Sequence, residues 1–186
     1  MEDEFPGQLR VIRRSFVLVP EDRADRIFRD YHRAHRQSAT TQGEDAPRFQ
    51  IPEAGDPYPR CSFPALEAAA WVRENQPDRF LAFDLAIFEA FFGRTEDISD
   101  PDVLEQVGAE CGIGSDAMRE ALESHRYREH VLREDREART LGIQGIPATL
   151  IPGRQPIVGA VPYVELKQAV EAAQRAAIVN PRSDRS

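Results

Sequence analysis

Residues 145–159 read Gly145-Ile146-Pro147-Ala148-Thr149-Leu150-Ile151-Pro152-Gly153-Arg154-Gln155-Pro156-Ile157-Val158-Gly159. Two short apolar runs, Ala148 to Ile151 and Pro156 to Gly159, flank Pro152-Gly153-Arg154-Gln155. Proline presets the backbone for the second position of a turn and glycine accepts the left-handed third, so the pattern predicts a β-hairpin. Pro162 then opens a final helix, in which Tyr163, Leu166, Val170, Ala173 and Ala177 form one apolar stripe suited to packing on a sheet.

Upstream, the middle of the chain reads as helix after helix. Ser62 is placed to cap a helix running to about Asn75, with Pro64 in its first turn and Leu66, Ala69, Ala70 and Trp71 facing inward. Asp78 to Phe92 carries five of the ten phenylalanines. There Phe80, Phe83, Ile87, Phe88 and Phe91 recur at helical spacing, which predicts a core helix. Ser99-Asp100-Pro101-Asp102 reads as a capped start, after which Val103, Leu104, Val107 and Cys111 line one face until Gly112. Ser115 is placed to cap a short helix containing Met118 and Leu122, and a charged helix follows from about Ser124 to Leu141, ending at Gly142.

At the other end, Leu9 to Leu18 holds β-branched residues with Ile12, Phe16 and Leu18 on one face, which predicts a strand stopped by Pro20. Glu21 to Ser38 reads as a surface helix with Ile27, Tyr31 and Ala34 at helical spacing. Thr40 to Pro59 is rich in Pro, Gly and Asp and predicts a long loop. The tail from Asn180 has the composition of a disordered end.

Composition narrows the function. Twenty-four basic residues against 32 acidic ones give a formal charge of -8. That balance excludes a nucleic-acid binder, which needs a cationic face to neutralise phosphates. Runs such as Arg133-Glu134-Asp135-Arg136-Glu137 read as a solvated helix surface. No apolar run approaches the roughly 18 residues a membrane span needs. The acidic start Met1-Glu2-Asp3-Glu4 is unlike a signal peptide, so a cytoplasmic protein is expected. Cys61 and Cys111 stand too far apart for a metal-ligand spacing or a disulfide framework. His32 and His35 share a helix face while His125 and His130 do not, and even with Asp30 and Glu129 nearby they match no metal motif. They read as surface histidines, with no metal and no cofactor expected.

The order of strand, helical block, hairpin and helix, with Gly145-Ile146-Pro147-Ala148-Thr149 leading into the hairpin, resembles the DsbA-like branch of the thioredoxin superfamily. Tyr58-Pro59-Arg60-Cys61-Ser62 before an Ala-rich helix, then the Phe-rich helix and Asp97-Ile98-Ser99-Asp100-Pro101, is similar to the FrnE and 2-hydroxychromene-2-carboxylate isomerase subgroup. The resemblance covers Leu9 to about Ala177. It implies an α/β, thioredoxin-like fold with an all-helical insertion. The thioredoxin-like part would be residues 1–60 and 142–179, incomplete, and the insertion 61–141, followed by a disordered tail at 180–186.

It also implies that Pro147 follows a cis bond and that Ile146 pairs with an incoming peptide or small thiol or disulfide substrate. A turn-forming proline at a strand head is the plainer reading of the same residue. Cys61 and Ser62 would border the pocket, Cys61 with its thiolate favoured by the helix start. A loop cysteine followed by a cap residue is the plainer reading there.

The departure from the family is as informative as the likeness. The family's first strand ends in Cys-x-x-Cys, and no such pair exists among these 186 residues. The chain therefore reads as N-terminally truncated relative to the fold, without a catalytic residue of its own. Because the missing strand would be central, three arrangements follow: an upstream start, a direct meeting of the two flanking strands, or a strand supplied by another chain. The expected function is that of a thiol–disulfide oxidoreductase family protein inactive in dithiol exchange. A glutathione-dependent isomerase of the hydroxychromene carboxylate type is the alternative enzyme, with glutathione as its cofactor. A non-catalytic thioredoxin-fold binding module is the third reading, and its exposed strand edges would predict a homodimer.

Overall fold

The computed structural model describes residue 1 and residues 4–40 and 49–179. The tail from Asn180 and residues 41–48 of the expected loop lie outside the described residues. The chain forms two compact units, Val17–Arg133 and Met1–Phe16 with Glu134–Ser186.

The first unit is helical: α1 (Asp30–Thr40), α2 (Phe63–Asn75), α3 (Pro77–Phe88), a π-helical turn (Glu89–Gly93), α4 (Pro101–Glu110) and α5 (Ser115–Glu123). Its centre is α2, whose Phe63, Ala65, Ala68, Ala70, Trp71 and Val72 are buried around most of the helix. A helix apolar nearly all round can only be stable with neighbours on several sides. α3, α4 and α5 supply them through Phe83, Ile87, Leu104, Val107, Met118 and Leu122. Each large apolar side chain buried here contributes roughly 1.5–3 kcal/mol. The expected inward set on α2 is shifted by its crowding: Leu66 and Ala69 are only partly buried against this core.

Along α3, Phe83 and Ile87 are buried as expected, but Phe88 is 55% exposed. The helix widens just beyond it, with Arg94 N–H donating to Glu89 O at 2.9 Å. That i→i+5 bond offsets the following side chains from the α-helical register. α4 opens as expected, Asp100 accepting from Asp102 N–H at 2.9 Å with Pro101 in the first turn. It closes at Gly112, whose φ of 70° needs glycine. α5 begins at Ser115, yet the capping position is Gly114. The charged helix α6 (Arg128–Thr140) starts four residues later than expected, because His125 takes a left-handed φ of 50° and breaks the helical path.

The surface helix expected from Glu21 begins only at Asp30. Before it, Phe28 N–H donates to Asp56 O at 2.8 Å and Tyr58 N–H to Arg26 O at 3.1 Å, so 26–28 runs antiparallel to part of the expected loop. An extended chain sends neighbours to opposite sides. Phe28 is fully buried while Ile27 and Tyr31 stay exposed.

The second unit holds the hairpin. β1 (Ala148–Thr149) pairs antiparallel with β2 (Ile157–Val158) in the register Ala148 to Val158 and Thr149 to Ile157. Arg154 N–H donates to Ile151 O at 3.0 Å across Pro152-Gly153, and Gly153 has φ 74°, the geometry of a type II turn. The Ile146–Pro147 peptide bond is cis. In α7 (Tyr163–Val179), Val170 is buried and Leu166 and Ala173 half-buried. Tyr163 leaves the expected stripe and donates its hydroxyl to the Glu4 carboxylate, which also pairs with Lys167.

The expected strand at Leu9 to Leu18 is not formed. The sheet among the described residues has two strands, β1 and β2, so the flanking segments do not meet directly. Ser15, Phe16 and Val17 are buried in succession, whereas Ile12 and Leu18 are each 57% exposed. Two-residue alternation is meaningful only on a ladder. Here the Ser15 N–H instead donates to the Glu134 carboxylate at 2.7 Å.

Candidate functional site

Cys61 and Ser62 lie at the entrance of α2. Ser62 occupies the capping position but makes no cap bond. Its Oγ accepts from Val19 N–H at 2.9 Å, and its N–H donates back to Val19 O at 2.9 Å. The serine is thus occupied in fastening the chain that precedes the helix. Cys61 is a free, half-buried thiol. Burial pushes its pKa up, outweighing the opposing hydrogen bond with the Phe63 backbone and the positive charge of Arg128 and Arg60. The thiolate expected from the helix start is therefore disfavoured, because desolvation penalises the charged form more than the first helical turn stabilises it. Cys111 is likewise free, and burial pushes its thiol up as well.

In the hairpin unit, Ile146 is 50% exposed, and no hydrogen bond to its backbone forms among the described residues. The next carbonyl, that of Pro147, accepts from Gly159 N–H at 2.8 Å. Leu150, Val158, Tyr163 and Val164 are also exposed. The hairpin unit thus carries exposed apolar side chains and a backbone segment with hydrogen-bonding capacity to spare, the two features that recognise an incoming extended chain.

Two buried polar clusters were not foreseen. Glu67, 1% exposed and flanked by apolar residues in the first turns of α2, accepts from Arg128 Nε at 2.6 Å while Arg128 lies 3.9 Å over the Phe63 ring. A lone acid inside Phe63-Pro64-Ala65-Leu66-Glu67-Ala68-Ala69-Ala70 was the available signal. The second cluster surrounds Arg36, buried among Phe28, Tyr58, Phe91 and Phe92. With it comes His32, which is half-buried and packs on Phe28 and Tyr58, where a surface histidine had been expected. His32 and Arg36 stand four apart on one face of α1, a pairing that could have been read as inward.

Among the described residues no three His, Cys, Asp or Glu side chains gather as a metal site requires. His130 is held by Arg73 and Arg133. An open depression of about 480 Å³, lined by Trp71, Asn75, Gln76, Gly114, Asp116 and Ala117, contains none of the candidate residues. Among the described residues no helix is long and apolar enough to cross a membrane.

The chain's likeness to known proteins agrees with this architecture. No curated protein matches it. It is similar to the crystal structure of a candidate protein disulfide isomerase from Nitrosomonas europaea, at 20% identity with a TM-score of 0.68, over 83% of this chain and 79% of that one. At that identity the likeness speaks for the fold, which is thioredoxin-like with a helical insertion, as the resemblance implied. The family model of the DSBA-like thioredoxin domain matches residues 58–171. That match spans more than half of the 186 residues and runs from before α2 through the hairpin into the first half of α7, so the chain belongs to the DSBA-like thioredoxin domain family.

Proposed function

We propose that this chain is a thiol–disulfide oxidoreductase family protein, close to the FrnE subgroup, that does not perform dithiol exchange and acts by holding an extended peptide against the hairpin. The carrying observation is the state of its thiols. The chain has two cysteines, neither in a Cys-x-x-Cys pair, and both are free with pKa values pushed up by burial. Disulfide exchange requires a thiolate to attack and a second thiol to resolve the mixed disulfide. Neither requirement is met by a half-buried Cys61 alone.

The peptide-holding part rests on Ile146 and Pro147. Ile146 offers its N–H and C=O at the head of β1, and its exposed side chain stands with Leu150 and Val158 as apolar surface. Main-chain bonds would supply affinity and the apolar residues a preference for aliphatic or aromatic side chains. Free thiols fit a reducing compartment, the cytoplasm.

A disulfide-reduction assay on insulin with dithiothreitol tests the first part. The expected rate equals that without protein; turnover comparable to an intact Cys-x-x-Cys protein of the same fold would overturn the reading. For the second, Ile146→Asp is expected to abolish binding of unfolded, thiol-blocked peptide measured by fluorescence anisotropy. Unchanged binding would remove the hairpin from the site.

A further inference from the structure

Arg36 is 4% exposed. Its Nη1 donates to Gln50 O at 2.6 Å and its Nη2 to Phe91 O at 3.2 Å. Its Nε has no acceptor among the described residues. The rings of Phe28, Tyr58, Phe91 and Phe92 approach the guanidinium carbon to between 4.9 and 5.8 Å. Ring faces stabilise the cation, but they do not meet an N–H directed within the guanidinium plane, and they leave the positive charge unneutralised.

One turn earlier on α1, His32 Nδ1 accepts from Arg29 N–H at 2.9 Å, so the proton of the neutral ring sits on Nε2. That Nε2 is buried and also has no acceptor among the described residues. The imidazole lies 4.6 Å from the Tyr58 ring and 5.5 Å from the Phe28 ring, the same two rings that enclose Arg36. Two buried donors on one helix face therefore share one aromatic enclosure with no acceptor among the described residues. Leaving each unmet is destabilising, and a buried cation without a counter-charge adds to that.

We propose that this enclosure seats a small free carboxylate, one oxygen accepting from Arg36 Nε–H and the other from His32 Nε2–H. A water would satisfy a donor but not the charge. The surrounding groups favour an anion. Burial first, and then the positive charge of Arg26, Arg36 and Arg29 with His35, holds the His32 pKa below the ordinary histidine value. Arg33 reaches Pro52 O, with Glu53 3.6 Å away. Asp56 is turned to the Glu53 N–H at 2.8 Å. Tyr58 contributes its ring. A bound carboxylate would reverse the electrostatic sign at His32 and raise its pKa.

The test is an NMR titration of the His32 Cε1–H resonance in the full chain, at constant ionic strength, with sodium formate, sodium chloride or sodium sulfate. Formate is expected to raise the His32 pKa saturably and to leave His125 and His130 unmoved. His32→Gln should abolish the saturable broadening of 13C-formate while the chain stays folded by circular dichroism, a control that does not depend on an Arg36 variant folding. An equal response to chloride would overturn the carboxylate assignment. A His32 pKa indifferent to all three salts would show the two donors to be hydrated and overturn the site.

Discussion

Val19 and Ser62 exchange two hydrogen bonds, each 2.9 Å long, although they are 43 positions apart. The serine at the start of α2 thus fastens the segment around Val19 through both its backbone and its hydroxyl. Ser62→Ala keeps its own N–H bond and deletes the acceptor of Val19 N–H, a partly buried donor. The expected loss is about 1 kcal/mol of unfolding free energy in urea, with Ser62→Thr close to wild type. A loss within error of zero would mean that solvent replaces the hydroxyl.

Glu134 anchors the segment that lacks a ladder. It is 2% exposed, with one carboxylate oxygen 2.9 Å from Arg14 and the other 2.7 Å from Ser15 N–H. Arg14 is largely solvated, so the pair itself contributes little and the buried N–H acceptor contributes more. Glu134→Ala is expected to cost about 2–3 kcal/mol and Glu134→Gln about half of that, since the amide retains an acceptor oxygen. Equal losses for the two variants would assign the effect to charge alone.

These two contacts also explain how far the fold could be read from the sequence. The Pro152-Gly153 turn, the proline at the head of α4 and the buried Phe83 and Ile87 are local signals, decided within one turn or one helix face, and each appears in the structure. The segment at Leu9 to Leu18 is different, because a strand is defined by its partner. Its β-branched residues could not disclose that Ser15 would donate to a carboxylate 119 positions later. Ser62 failed as a cap for the same reason: its hydroxyl had a distant competitor in Val19. At the candidate site, Ile146 and Pro147 are marked by their place before the hairpin, whereas the burial that pushes the Cys61 thiol up cannot be read from a helix start.

Burial of both thiols gives a pH prediction. Each pKa is raised, and a raised thiol pKa means less thiolate at any pH below it. Iodoacetamide alkylation of Cys61→Ser and Cys111→Ser, which leave one thiol each, should therefore be slower than that of glutathione at pH 7.5. The rate should still be climbing at the ordinary thiol pKa near 9. A plateau below pH 8 in the Cys111→Ser protein would reveal an activated Cys61 and reopen a mixed-disulfide chemistry.

The end of α4 tests how backbone and side chain share a cap. Gly112 takes φ 70°, and a Cβ built there would lie 2.3 Å from Arg79 Nη1, which donates to Cys111 O at 2.7 Å. Gly112→Ala therefore meets two penalties. The left-handed backbone costs an alanine roughly 1–2 kcal/mol, and the guanidinium must leave the carbonyl that it caps, about 0.5–1 kcal/mol more for an exposed bond. Only the second depends on Arg79. In an Arg79→Ala background the cost of Gly112→Ala should fall to its backbone share, so a double-mutant cycle by urea unfolding should return a coupling of about 0.5–1 kcal/mol. Additive losses would show that the arginine swings aside freely and that α4 ends on its glycine alone.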